Sequence, residues 1–193
     1  LAIEMMRVLS RRLEESENLT IQDLREKNRQ LTQAYHELEA AQAQLVEKER
    51  LEAELAVARS IQHSFLPQSR PQLPGFDFGA LIEPVASVGG DLYDFLPLGQ
   101  GRVGIAVGDV SGHGVPAALF MALTYSLLRA EAGRAASPGE ALRNVNRQLL
   151  SLSDSGMFVT MLYGILDSNR HKFTYVRAGH TLPLLLKAGG RAG

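Results

Sequence analysis

Cysteine is absent from the 193 residues. No disulfide can therefore hold the fold, and the chain is compatible with a reducing cytosol, although exported bacterial proteins often lack cysteine too. The amino terminus has no signal-peptide pattern. Long apolar runs are also missing: the longest, from Val115 to Leu128, falls short of the roughly 20 residues that cross a bilayer. A formal net charge of −1 leaves no basic footprint, so nucleic acid is not an expected partner. Neither a P-loop lysine nor a G-x-S-x-G elbow follows any strand-like stretch. Beginning at Leu1 and stopping in "KAGGRAG", the chain reads as a soluble fragment without membrane insertion, large enough for one domain plus an appendage or for two small domains.

What is present divides into two grammars. Residues 1–66 carry nine Lys/Arg and twelve Asp/Glu, 21 of the chain's 41 charged residues. Leu24, Leu31, Leu38 and Leu45 recur every seven positions, with Ile21, Asn28, Tyr35 and Gln42 three places before each, as in the d and a positions of a coiled coil. Thr20 and Asp23 suggest a capping box at its start, and the polar Asn28 and Gln42 suit the fixing of register and strand number. After Leu45 the next apolar position is Leu51, a step of six, which locally overwinds or redirects a supercoil. Such a slip suits either an inert spacer or a conformational relay. Residues 1–20 read as the end of an upstream helix and are similar, over a short stretch, to the exit helix of a cyclic-nucleotide-binding sensor.

"PQSRPQLP", residues 67–74, stops the helix. The expected domains are thus 1–20, a coiled-coil linker over 21–66, and a folded domain over 67–193. In the last, strands are predicted at 76–83, 92–98, 102–108, 157–166, 172–177 and 182–187, with helices at about 115–131 and 138–151. Short turns between consecutive strands imply antiparallel sheet, hence an α+β domain.

"DLYDFLPLGQGRVGIAVGD", residues 91–109, reads as a hairpin around a three-residue loop centred on Gln100. Leu98 then faces Arg102, and stepping outwards brings Asp91 opposite Asp109. Cross-strand like charges repel. A divalent cation would turn that repulsion into coordination, and hard oxygen ligands suit magnesium or manganese. Asp94 points to the other face. Taken singly, each aspartate suits turn capping instead, Asp109 toward "SGHG" and Asp91 after Gly89 and Gly90. Gly112 and Gly114 permit close approach to a ligand, and the helix that follows offers unpaired amides to an anion such as phosphate. His113 and His180 read as turn and structural residues.

"SVGGDLYDFLPL" and "VGDVSGHGVPAALFMA" resemble the bacterial SpoIIE/RsbU branch of the metal-dependent (PPM, type-2C) protein serine/threonine phosphatases, and "IQHSFLP", "MFVTMLYGILD" and "VRAGHTLPLLL" match in the same order. The resemblance covers about residues 55–190. It implies an antiparallel β-sandwich flanked by helices, incomplete here and preceded by the long coiled-coil helix. Asp91 and Asp109 match catalytic metal-ligand aspartates, and Val110 matches a position that binds metal through its backbone carbonyl. Two Mn2+ or Mg2+ ions are implied, with further metal-binding aspartates expected beyond "AGGRAG". The implied reaction is hydrolysis of phosphoserine or phosphothreonine without a covalent phosphoenzyme. The implied setting is cytoplasmic partner switching, with a phosphorylated STAS-domain anti-sigma-factor antagonist as substrate. A catalytically silent dimeric adaptor is the competing reading.

A narrow leucine seam flanked by charge buries little unless it is paired, so the chain is predicted to be a homodimer through residues 21 to about 66. Replacing Leu31 and Leu38 with lysine should give monomers in light scattering; an unchanged dimer mass would sink the assignment.

Overall fold

The computed structural model describes residues 2–83, 88–152 and 156–186. The element order is α1 (Ala2–Phe65), β1 (Leu92–Gly99), β2 (Arg102–Val110), α2 (Gly114–Ala132), α3 (Pro138–Leu152), β3 (Val159–Asp167) and β4 (Lys172–Ala178). The chain separates into two compact units, residues 1–53 and 54–193, so the division falls inside α1 rather than at the proline-rich segment.

In the first unit every described residue is exposed. The helix passes through Thr20 without interruption, because the Thr20 hydroxyl donates to the Ser16 carbonyl at 2.9 Å and Asp23 pairs with Lys27 at 2.7 Å. The predicted capping box therefore does not form: a threonine whose upstream residues are already helical bonds back to its own helix instead of capping a new one.

In the second unit four antiparallel strands follow in the order β1-β2-β3-β4. The predicted α+β class is what forms, with this sheet as the one sheet among the described residues. Four of the predicted strands and both helices form within two or three residues of their expected ends. Segments 76–83 and 182–186 do not. Phe76 makes only an isolated bridge to Leu73, while Phe78 packs edge-on against Phe95 at 5.5 Å. Phe78 thus meets the sheet by side-chain contact rather than by joining its ladder, whereas Leu182, Leu184 and Leu185 stay exposed. Residue 187 lies outside the described residues.

The β1–β2 turn differs from its predicted form in an instructive way. Gln100 and Gly101, at φ 53° and 71°, make a two-residue turn pairing Gly99 with Arg102, as a type I′ turn requires. Such a turn would shift the whole register by one residue, but a bulge at Leu98 restores it, and from Pro97↔Val103 to Leu92↔Gly108 the pairs are those predicted. Pro97 is tolerated because β1 is an edge strand. The turn is braced by the β3–β4 turn: the Ser168 hydroxyl donates to the Gly101 carbonyl at 2.8 Å and the Asn169 amide to the Gln100 carbonyl at 2.9 Å.

Helices α2 and α3 cover the sheet face that carries Leu92, Leu96, Ala106, Met161 and Tyr163. α2 buries Ala117, Phe120, Met121, Thr124, Tyr125 and Leu128, the spacing of a single helical stripe. α3 starts with Pro138 and buries Ala141, Leu142, Val145 and Leu149. Glu131 of α2 joins the two, accepting from Asn144 at 2.8 Å and Gln148 at 3.0 Å.

Inside this apolar layer sits a charge. Asp94, 1% exposed, receives two hydrogen bonds from Arg129 of α2, at 2.7 and 2.9 Å. The guanidinium also lies 4.9 Å over the Tyr125 ring, whose other neighbour is Phe65 at 5.9 Å, the last residue of α1. The Tyr163 hydroxyl is buried without a hydrogen-bond partner among the described residues, and burial followed by the Asp94 charge pushes its pKa up to about 12. Arg129→Met should destabilise the domain by about 3 kcal/mol, because it leaves the buried Asp94 carboxylate uncompensated. The double variant Asp94→Leu/Arg129→Met should recover most of that in chemical denaturation; no recovery would mean that Arg129 acts through packing alone.

Candidate metal centre

The two aspartates singled out in the sequence come together at the open end of the hairpin. Asp109 is the penultimate residue of β2, and Asp91 directly precedes β1. Because Leu92 pairs with Gly108, the next step outwards brings Asp91 to Asp109 on the face opposite the helices. Asp94, three residues on, faces the core and is committed to Arg129. The carboxyls are close enough to interact: partial desolvation, then the Asp109 charge and a hydrogen bond with Asp109, raise the Asp91 pKa, and His180 partly opposes them.

Neither carboxylate accepts a hydrogen bond from a backbone amide of the described residues. The loop expected to be capped by Asp109 is instead held by Ser111, whose backbone N–H donates to the Phe158 carbonyl at 2.8 Å and whose hydroxyl accepts from the Phe158 N–H at 3.0 Å. The carboxylate oxygens are thus left for another partner.

Val110 follows Asp109 at the end of β2. Its carbonyl oxygen lies so near Gly90 that a Cβ there would be 2.9 Å from it and 3.0 Å from the Val110 Cβ. Only glycine allows this approach, one residue before Asp91. Two mutually repelling carboxylates beside a peptide carbonyl form a set of hard oxygen donors that fits Mg2+ or Mn2+. Among the described residues no group of three or more acidic or histidine side chains gathers as a metal site. The three oxygens would thus supply part of an octahedral shell.

Two hollows share this pair. One, of about 170 Å³, is lined by Gln62, Val88, Gly90 and His113 together with both aspartates. The other, of about 390 Å³, lies over the outer face of the sheet between Leu81, Tyr93, Ile105 and His180, again with both aspartates in its wall. The first borders the start of α2, where Gly112 and Gly114 take φ of 88° and 72° and His113 offers no side-chain cap. The first amides of α2 are therefore without a capping side chain, as an anion site at a helix start requires.

His180, read from sequence as structural, is brought into this neighbourhood. Its Nδ1 is 2.9 Å from the Thr160 hydroxyl, and Thr160 is the cross-strand partner of Asp109. A signal was available: continuing the β3–β4 register past Leu162↔Arg177 leads to the segment beside Thr160. His113 lines the smaller hollow at the N-cap of α2.

An antiparallel sheet is thus faced by two helices on one side and carries two opposed carboxyls at a strand end on the other. Residues 99–192 match the family model for stage II sporulation protein E (SpoIIE). The chain is 32% identical over 133 residues to the phosphoserine phosphatase RsbU of Bacillus subtilis, covering 69% of this chain and 39% of that protein. It is 34% identical over 164 residues to protein IcfG of Synechocystis sp., covering 71% of this chain and 26% of that protein. The fold is shared with the SiaA PP2C domain of Pseudomonas aeruginosa, at a TM-score of 0.57 and 21% identity, over 68% of this chain and 55% of that one. The domain is of the SpoIIE/RsbU-type branch of the PPM phosphatases. The chain spans well under half the length of RsbU and IcfG.

Folded Asp91 holds its proton more tightly than unfolded Asp91, so ionising it costs stability as pH rises from the ordinary 3.8 through the raised value. Asp109→Asn removes the neighbouring charge. It should lower the Asp91 pKa in a carboxyl NMR titration and leave metal-free melting temperatures equal or higher above that window. A lower metal-free melting temperature would favour the turn-capping role.

Proposed function

We propose that the complete protein is a phosphoprotein phosphatase that hydrolyses phosphoserine or phosphothreonine with two bound Mn2+ or Mg2+ ions. The observation that carries this is the opposed pair Asp91 and Asp109, unsatisfied by any described amide, with the Val110 carbonyl packed against Gly90, one residue before Asp91. In this reading Asp91 and Asp109 are the catalytic metal ligands, and Val110 contributes its backbone oxygen. When bound, the ions would supply an acidified water nucleophile and neutralise charge on the transferring phosphoryl group. The residues of this chain hold the carboxylates facing one another, keep the carbonyl bare through Gly90, and offer uncapped amides at the start of α2 to phosphate oxygens.

The likeness to RsbU, whose name marks it as a phosphoserine phosphatase, supports the reaction class and a place in partner switching. A phosphorylated STAS-domain anti-sigma-factor antagonist is the proposed substrate, and the cytoplasm the proposed location. No helix among the described residues is long and apolar enough to cross a membrane. Residues 1–20 are proposed as the end of an upstream sensor helix, 21–66 as a dimeric coiled-coil linker that regulates the enzyme, and 67–193 as the amino-terminal part of the phosphatase domain. In support of pairing, Ile21, Leu24, Leu31, Leu38 and Leu45 are 45–69% exposed on a helix that buries none of its residues.

In full-length protein, Asp91→Asn and Asp109→Asn should each abolish manganese- or magnesium-dependent release of phosphate from a phosphorylated STAS domain. The loss should exceed the roughly 10–100-fold typical of removing an outer-sphere partner. Wild-type turnover in both variants across both metals would refute the site. A full-length wild type that binds the phosphoprotein without turnover would establish the adaptor reading instead.

A further inference from the structure

The segment that delivers Asp91 is built from residues with little means of holding themselves. Gly89 and Gly90 precede Asp91, and glycine loses more conformational freedom on ordering than any other residue. Val88, 3% exposed, anchors the segment three residues away. On Gly90 itself a side chain would collide with the Val110 carbonyl, so packing by a larger residue is not an available solution.

Another element supplies what is missing. The side-chain amide of Gln62, in the last turns of α1, donates from Nε2 to the Gly89 carbonyl at 2.6 Å and accepts on Oε1 from the Gly89 N–H at 3.1 Å. Both polar atoms of one peptide residue are thus gripped by one planar amide. Two parallel bonds specify orientation as well as position, which a single bond does not. The grip bears on Gly89, while Val110 and Ala117 abut the neighbouring Gly90. Phe65 against Tyr125 and the buried Leu66 fasten the end of α1 independently of Gln62.

We infer that Gln62 is a positioning residue for the metal centre: its two-bond clamp on Gly89 sets the place and direction of Asp91 relative to Asp109 and the Val110 carbonyl. The inference rests on the metal-site reading above. Ligand orientation by an outer partner is commonly worth about 10–100-fold in metal affinity, because unordered ligands must be ordered at the moment of binding.

The test uses full-length protein and Mn2+ alone as the probe. Gln62→Met keeps the length of the side chain and loses both bonds; Ile61→Ala, on an exposed neighbour 55% accessible, controls for loss of helix packing. In wild type the Gly89 amide should be protected from hydrogen exchange. In Gln62→Met that protection should vanish and Mn2+ affinity in calorimetry should fall about tenfold or more, with kcat at saturating metal less affected than the metal requirement. Ile61→Ala should keep wild-type affinity. If Gln62→Met destabilises the chain too far, Gln62→Asn, which keeps an uncharged amide but withdraws it from Gly89 by one methylene, should lower the affinity in the same direction. An unprotected Gly89 amide in wild type, or wild-type Mn2+ affinity in Gln62→Met while Asp109→Asn has lost it, overturns the clamp and leaves the metal site standing. Wild-type protein that binds no Mn2+ overturns both.

Discussion

The register of the β1–β2 hairpin is the constraint from which the rest of the domain follows. Side chains alternate across a strand, so a slip of one residue would exchange every inward and outward position of β1. In the observed register Asp94 enters the helix-covered layer and meets Arg129, while Asp91 and Asp109 stay outside it and meet one another. A slipped β1 would bury one carboxylate without its arginine and separate the other two. The bulge at Leu98 and the left-handed turn at Gln100 and Gly101 therefore set which carboxyls meet, even though they lie at the far end of the hairpin. The second turn, through Ser168 and Asn169, holds them in place.

Two lines of contact connect the end of α1 with this hairpin. One is apolar and cationic: Phe65 to Tyr125, Tyr125 to Arg129, and Arg129 to Asp94 in the middle of β1. The other is the pair of hydrogen bonds from Gln62 to Gly89 just before β1. The first fixes where the strand lies against α2, and the second bears on the residues that lead into Asp91. A buried carboxylate held by two hydrogen bonds from a half-exposed guanidinium gains directionality that aliphatic packing lacks.

Periodicity and turn chemistry exposed much of this in advance. The four central strands, both helices of the domain, the opposition of Asp91 to Asp109 and the turning of Asp94 to the other face follow from alternation and from glycines around Gln100. The failures have a common cause. Segments 76–83 and 182–186 carry strand-like composition but find no ladder partner among the described residues, and composition does not say whether an apolar residue pairs or merely covers. Thr20 and Asp23 fit a cap pattern, yet a cap needs a helix that starts there, and α1 starts at Ala2 among the described residues. The contact of His180 with Thr160 was not legible either, because it joins the segment after β4 to a residue of β3.

Local chemistry, by itself, determined the elements: where helices and strands run, which of their residues point together, and that two aspartates must share one end of a hairpin. Those are properties of neighbours in the chain, governed by steric periods that need no third dimension. The tertiary structure alone decided the partners. Arg129 is 35 residues from Asp94, and Gln62 is 27 from Gly89; no spacing rule links them. Such pairs exist because α2 and the end of α1 dock on the same sheet, and docking is set by the summed burial of the whole apolar layer rather than by any residue in the pair.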